Sequence, residues 1–269
     1  MTIFESIILG FIQGVTEFIP ISSSGHLILV PYLFGWKPHV LSIDIILHLG
    51  TLFAVLIYFF FDWVKLIKEG ILSIKHRTLK GPAERLLFWY IVIATIPAAI
   101  CGKLLEDKAE SAFRNPVLVA VSLGVFALVF YLAQKISKNI KSLASINFKD
   151  ALLIGIAQSF AILPGVSRSG ATITSGIALG LKREEAVRFS FLLSMPIILG
   201  AGILKIKDIF LQTAGIDSHV LWIGFFTSLI SGILSIHFLL KFVKKYSFSV
   251  FILYRIILCL IVIGVFLYR

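Results

Sequence analysis

GFIQGVTEFIPISSSGH, residues Gly10–His26, is the stretch that decides the fold. It sits inside an apolar run, residues 3–36, yet it carries Glu17, Pro20, the serines Ser22, Ser23 and Ser24, then Gly25 and His26. A membrane-crossing helix needs about 20 apolar residues in a row. The apolar halves flanking this break are only about 11–16 residues long. Half-length helices joined by a polar, Gly/Pro-rich turn read as a re-entrant hairpin, because irregular backbone at membrane depth must be covered by protein. One broken transmembrane helix is the alternative.

A second stretch behaves alike. Residues 150–180 are apolar but broken by Pro164, Gly165, Ser167, Arg168, Ser169 and Gly170. At a constant offset of 145, Gly10 matches Gly155, Gln13 matches Gln158, Ser22 matches Ser167, Ser24 matches Ser169 and Gly25 matches Gly170. Five identities in sixteen ungapped positions point to an internal duplication.

Composition sets the frame around both motifs. The chain is 58% hydrophobic and 14% charged, with a mean hydropathy of +1.00. Ordinary soluble domains are about 45–50% apolar and about 25% charged, so the chain belongs to the membrane class. Six segments are long enough to span: roughly 40–61, 86–105, 115–135, 186–205, 220–240 and 250–268. The net charge of +11 does not form one basic face, which argues against nucleic-acid binding. It gathers between spans, at 65–85, 135–149, 182–188 and 241–245, as cytoplasmic loops do. Lys182, Arg183 and Arg188 read as such topology charges. Cys101 and Cys259 lie in or beside apolar runs and read as buried hydrophobes, not as a disulfide or metal pair. The N-terminus lacks a basic region and Glu5 interrupts it, so a cleaved signal peptide is not expected.

Counting crossings gives the topology. Each repeat is one hairpin followed by three spans, so the second repeat enters from the opposite face and the two are inverted. If the basic loop 62–85 is cytoplasmic, loop 106–114 with Glu106, Asp107 and Glu110 falls outside. Loops 136–149 and 241–249, both lysine-bearing, fall inside, and both termini fall outside. Loop 206–219 is mixed in charge. The expected fold is an all-α polytopic membrane protein, one membrane domain over 1–269. It has six full transmembrane helices plus two re-entrant helix hairpins, arranged as inverted repeats of approximately 1–135 and 150–269. The two polar tips can then meet near mid-membrane.

Ionisable groups at membrane depth are costly and mark function by default. The first tip offers Gln13 and Glu17 on one helical face, then Ser22, Ser23, Ser24 and His26. A Ser-rich, Gly-containing turn at a helix start presents N–H groups and hydroxyls to an anion. The second tip offers Arg168, planar and always charged, with Ser167, Ser169 and Thr172 as hydroxyl donors. Together these suit phosphoryl transfer, which needs positioning and charge stabilisation. The bland readings are close packing for Ser22, Ser169 and Gly170, a pairing with Glu17 or a tip carbonyl for Arg168, and a helix cap for His26. Asp44 and His48, one turn apart in the next span, could line the cavity or pair with each other. Arg255 reads as a snorkelling or packing residue near a cytoplasmic helix start.

The motifs GFIQGVTEFIPISSSGH (Gly10–His26) and LPGVSRSGAT (Leu163–Thr172) closely resemble the bacitracin-resistance family of undecaprenyl-diphosphatases. The resemblance runs along the whole chain and includes FSFLLSMP (Phe189–Pro196) and the pair Tyr254–Arg255. It implies an integral phosphatase of the bacterial cytoplasmic (inner) membrane. Such an enzyme hydrolyses undecaprenyl diphosphate to undecaprenyl phosphate and inorganic phosphate, recycling the carrier for peptidoglycan synthesis and conferring bacitracin resistance. It implies dependence on a divalent cation, Mg2+ or Ca2+. The family's (E/Q)xxxE motif falls on Gln13 and Glu17, its serine–histidine segment on Ser23 and His26, and its PGxSRSxxT segment on Pro164–Thr172. Many members have glutamate where Gln13 stands, so a Glu–Glu metal pair is missing here and Glu17 carries more of the metal or base role.

The expected site follows from residues and resemblance together. Glu17, Ser23, His26 and Arg168 are the catalytic candidates, with Glu17 also the metal ligand. Gln13, Ser22, Ser24, Gly25, Ser167, Ser169, Gly170 and Thr172 are the substrate-binding candidates. Ser23 or His26 is the nucleophile; sequence leaves both open. The partners are a polyprenyl diphosphate lipid and the bilayer, with a homodimer allowed and no nucleic acid. The rival class is a lipid-phosphate transporter or flippase, since inverted repeats with facing half-helices are common there.

Overall fold

The computed structural model describes residues 1–36, 41–105, 108–109, 112–206 and 217–268. Helices α1 (Ile3–Phe18) and α2 (Ser23–Phe34) form one hairpin. Helices α3 (Leu41–Tyr58), α4 (Phe60–Lys75), α5 (Ala83–Leu104) and α6 (Pro116–Ile136) follow. Helices α7 (Phe148–Ser159) and α8 (Arg168–Ala178) form the second hairpin, with a 3-10 turn at Phe160–Ile162 between them. Helices α9 (Arg183–Leu204), α10 (Ser218–Lys245) and α11 (Ser249–Tyr268) complete the chain. Among the described residues, α5, α6, α9, α10 and α11 are each long and apolar enough to span, and α3 passes together with α4. The chain is an all-α polytopic membrane protein.

One element differs from the sequence reading. Residues 62–85 are read above as a loop, but α4 occupies most of them, bent by 79° from α3. Trp63, Leu66, Gly70 and Ser73 recur every three to four residues and are its buried side. Lys65, Lys68 and Lys75 stand among the exposed Phe61, Ile71 and Ile74. That mixture of basic and apolar side chains suits a helix lying in the headgroup region. Counting charges to find a loop hid this period. The acidic residues Glu106, Asp107 and Glu110 and most of the mixed loop 206–219 lie outside the described residues.

The two hairpin tips share a local geometry. Ser22 caps α2 and Ser167 caps α8, each accepting from the N–H three residues on, Gly25 at 3.3 Å and Gly170 at 3.0 Å. Both serines have φ of 76°, in the left-handed region. Such a conformation costs a non-glycine residue about 1–3 kcal/mol. Its occurrence twice, at matched positions, means the same turn has been kept in both halves. The Ser24 Oγ lies 3.5 Å from Ser22 Oγ, and Ser169 Oγ lies 3.2 Å from Ser167 Oγ.

Each hairpin packs on the other half of the chain. The Ser6 hydroxyl donates to the Val220 carbonyl at 2.6 Å, Gly10 abuts Gly224, and Gly14 abuts Ser228 and Gly232. Helices α1 and α10 therefore run side by side in the same direction. Gly155 of α7 abuts Ala94 of α5 in the same way. A Cβ at Gly10 would come 2.6 Å from the Gly224 carbonyl oxygen, and one at Gly155 would come 2.6 Å from that of Ala94. Small residues permit this backbone contact between membrane helices.

Polar contacts define two faces. On one, Lys141 bridges Leu181 and pairs with Asp150 at 3.2 Å, Asn139 accepts from the Arg183 N–H, and Arg188 pairs with Asp62. The open end of the α7/α8 hairpin lies there. On the other, Ser6 meets Val220, and Asp44 pairs with Arg114. The open end of the α1/α2 hairpin lies there. The hairpins enter from opposite faces, and Phe18, Phe59 and Phe191 pack edge-on beside the point where they meet.

Candidate active site

Glu17 lies near the end of α1, and Arg168 begins α8. Opposed entry brings these two ends together. The Gly165 N–H donates to the Ser22 hydroxyl at 3.0 Å, and the Ser169 hydroxyl donates to the Ile19 carbonyl at 3.4 Å. Arg168 Nη2 then reaches Glu17 Oε1 at 2.9 Å, while Nη1 donates to the Ser190 carbonyl at 3.2 Å. The Arg168 Nε–H is buried and meets no acceptor among the described residues. The two motifs share an ion pair.

Glu17 is the hub. It is only 6% exposed. Its Oε2 accepts from Ser23 Oγ at 2.5 Å and from Gln13 Nε2 at 3.0 Å, and His48 Nε2 stands 3.5 Å away. A cavity of about 340 Å3 opens above this cluster. Glu17, Ser23, Ser24, Asp44, His48, Arg114, Arg168 and Lys205 supply its polar lining, and Leu27, Ile28, Ile45, Leu49, Ile197 and Ile198 are part of its apolar wall.

The remaining candidates lie beneath the cavity rather than in its lining. Gln13, Ser22, Gly25, Ser167, Ser169, Gly170 and Thr172 are all buried. Ser22, Ser167 and the two glycines build the turns. The Thr172 hydroxyl lies 2.7 Å from Ser190 Oγ, on the residue whose carbonyl takes Arg168. His26 is also buried and does not line the cavity. Its Nδ1 donates to the Ser22 carbonyl at 2.7 Å, and its Nε2 meets the Tyr254 hydroxyl at 2.7 Å. A carbonyl only accepts, so Nδ1 carries the hydrogen and Nε2 accepts from Tyr254. Both ring nitrogens are engaged.

Of the two readings of Arg255, the structure gives packing and overturns snorkelling: it is 0% exposed. It donates to Pro20 O at 3.1 Å on the first tip and to Gly165 O at 2.7 Å and Val166 O at 3.0 Å on the second. A further bond to Leu123 O, at 3.3 Å, ties it to α6. One guanidinium clasps both tips. Its signal in sequence was an arginine within a strongly apolar span; nearness to the helix start concealed it. Arg114 was also missed, being read as part of an acidic loop. His48 lines the cavity and takes the Asp44 carbonyl at 2.7 Å, while the Asp44 carboxylate goes to Arg114 at 3.0 Å. Cys101 and Cys259 are free.

The family model described as bacitracin resistance protein BacA matches residues 6–261. The chain belongs to that family. Among its relatives, the undecaprenyl-diphosphatase of Caldicellulosiruptor bescii is 48% identical over 271 residues, covering 100% of this chain and 99% of the relative. The undecaprenyl-diphosphatase of Pelotomaculum thermopropionicum is 47% identical, over 98% of this chain and 96% of the relative. That of Desulforudis audaxviator is 45% identical, over 100% of both chains. The BacA match spans both hairpins, Tyr254 and Arg255, so the whole two-tipped site lies within it.

Proposed function

We propose that the chain is an undecaprenyl-diphosphatase, removing the terminal phosphate of undecaprenyl diphosphate to give undecaprenyl phosphate and inorganic phosphate. The observation that carries this reading is Ser23 Oγ held 2.5 Å from Glu17, with Arg168 on the other carboxylate oxygen, in a cavity that has a largely aliphatic wall. Anion carriage alone would not need a hydroxyl so paired with a carboxylate. The product is the carrier used in peptidoglycan synthesis, and lowering the diphosphate pool gives resistance to bacitracin.

In this mechanism the apolar wall receives the first isoprene units and Arg168 binds the terminal phosphate. Ser23 Oγ attacks phosphorus and passes its proton to Glu17, a base placed within hydrogen-bond reach. The bond to the lipid phosphate breaks and undecaprenyl phosphate leaves, taking the proton from Glu17 and freeing the carboxylate. Water then attacks the phosphoserine and gives its proton to Glu17, which returns it to the departing Ser23 oxygen as inorganic phosphate is released. Gln13 orients Glu17. His26, with both nitrogens engaged, positions the turn that presents Ser23. A divalent cation, Mg2+ or Ca2+, would be held by Glu17; among the described residues no three candidate ligands cluster, so substrate phosphate oxygens would have to complete its shell. When bound, it would neutralise phosphate charge.

The test is phosphate release by the purified chain in detergent with added Mg2+ or Ca2+, where no gradient exists. Its absence favours the transporter reading, which the opposed hairpins would also serve. With release established, Ser23→Ala should lower kcat by about 10³-fold or more. His26→Gln should stay within about 10-fold, as expected of a buried hydrogen-bonding group outside the reacting centre. A trapped phosphoenzyme should be acid-stable; an acid-labile adduct would return the nucleophile to His26.

The site's location follows from charge. The face bearing Lys141, Arg183 and Arg188 is taken as cytoplasmic, in a bacterial inner membrane, with both termini outside. A cysteine placed at Thr2 should react with an impermeant maleimide in intact spheroplasts; labelling only after lysis reverses the orientation.

A further inference from the structure

Arg114 and Asp44 line the cavity, yet the phosphoryl-transfer steps use neither. Arg114 closes the short 3-10 turn before α6, and its Nη1 donates to Asp44 Oδ2 at 3.0 Å. The Asp44 carboxylate is buried. It lies four residues before His48 on α3, and His48 Nε2 stands 3.5 Å from Glu17. Four helical residues rise about 6 Å. The cavity therefore holds arginines at two levels. Arg168 sits with Glu17 on the floor. Arg114 sits with Asp44 one turn nearer the face on which the α1/α2 hairpin opens.

We propose that Arg114 binds the phosphate that stays on the lipid, so that the cavity selects a prenyl diphosphate over a prenyl monophosphate, an assignment that rests on the phosphatase reading. Ser23 and Arg168 fix the terminal phosphorus at the floor. Attacking and leaving oxygens lie roughly in line, so the lipid-side phosphate points away from Ser23, toward the Arg114 level. A guanidinium carries five N–H donors, and among the described residues only Nη1 of Arg114 is engaged, by Asp44. The rest of the fork can take phosphate oxygens while Asp44 holds it in place. Lys205 also lines the cavity, but a planar fork grips two oxygens of one phosphate and an ammonium does not. A fixed cation here also offsets the charge that gathers on the leaving phosphate as its bond breaks. The product, with one phosphate, reaches one level only, which favours its release and stops hydrolysis at the monophosphate.

The full chain in detergent, at fixed Mg2+, is titrated calorimetrically with two uncleavable probes. Farnesyl methylenediphosphonate and farnesyl phosphonate differ by one phosphoryl group. Wild type should bind the diphosphonate about 10–100-fold more tightly, as hydrogen bonds to a charged group allow. Arg114→Gln should lose most of that preference and leave the monophosphonate unchanged. Asp44→Asn breaks the same ion pair but keeps the arginine, so it should retain the preference. A preference that survives in Arg114→Gln, or is lost equally in Asp44→Asn, overturns the proposal while phosphate release leaves the phosphatase reading standing. A wild-type chain with no preference overturns it as well. A chain that prefers the diphosphonate but releases no phosphate from undecaprenyl diphosphate overturns the phosphatase reading instead.

Discussion

Arg168→Ala is expected to lower kcat/KM for undecaprenyl diphosphate by about 10³–10⁵-fold, the range seen when an arginine is withdrawn from a phosphoryl-transfer site. Two effects combine. The cavity loses the cation at its floor, so charge on the transferring phosphoryl group goes unbalanced. Glu17 also loses the 2.9 Å partner on Oε1. Without that partner the carboxylate is no longer held in line with the Ser23 hydroxyl whose proton it takes. Arg168→Lys should recover little. The native guanidinium reaches Glu17 with Nη2 and the Ser190 carbonyl with Nη1, and one ammonium cannot span that fork. Phosphate release should be read beside melting temperature and gel-filtration profile. A folded Arg168→Ala protein within 10-fold of wild type would remove Arg168 from the chemistry.

The second large effect belongs to a residue that never reaches the cavity. Arg255→Ala removes one side chain and leaves the carbonyls of Pro20, Leu123, Gly165 and Val166 without their donor. Each hydrogen bond to a charged group is worth about 1.5–3 kcal/mol, and orphaning buried acceptors adds to the loss. A destabilisation of about 4 kcal/mol is expected, comparable with breaking a buried ionic contact from one side. The two tips would then be held by the Arg168–Glu17 ion pair and the Gly165–Ser22 and Ser169–Ile19 contacts. Activity should fall with stability, because Glu17 and Arg168 sit on different tips. Where the alanine variant fails to accumulate, Arg255→Lys gives a milder reading, with an intermediate melting midpoint and partial activity. An Arg255→Ala protein that melts like wild type contradicts the clasp.

These two arginines also mark how far the sequence could be read. Arg168 was legible because polar, Gly-rich residues surround it in an apolar run, and because Ser167 and Gly170 repeat Ser22 and Gly25. The repeat itself carried a geometric message: the same left-handed serine cap occurs in both halves. Crossing counts then brought the tips together without knowledge of any contact. Other features depend on three-dimensional neighbours. His26 stands in the motif, yet its ring turns to Tyr254, on a helix more than two hundred positions away. For His48 the sequence leaves two readings open, lining the cavity or pairing with Asp44, and only the fold shows its ring at the cavity beside Glu17 with Nδ1 on the Asp44 carbonyl. Arg255 is polar in an apolar span, and only the folded chain reveals that four carbonyls converge on it. For α4, charge masked a helical period, because basic and apolar side chains share its exposed side.

The exchange of hairpins between halves bears on how the protein is made. Helix α1 is among the first segments to leave the ribosome, but its packing partner α10 and the Arg255 of α11 are among the last. The contacts of the first hairpin with α10 and Arg255 can form only once nearly the whole chain has been synthesised. Assembly of the two-tipped site is therefore a late event in biogenesis.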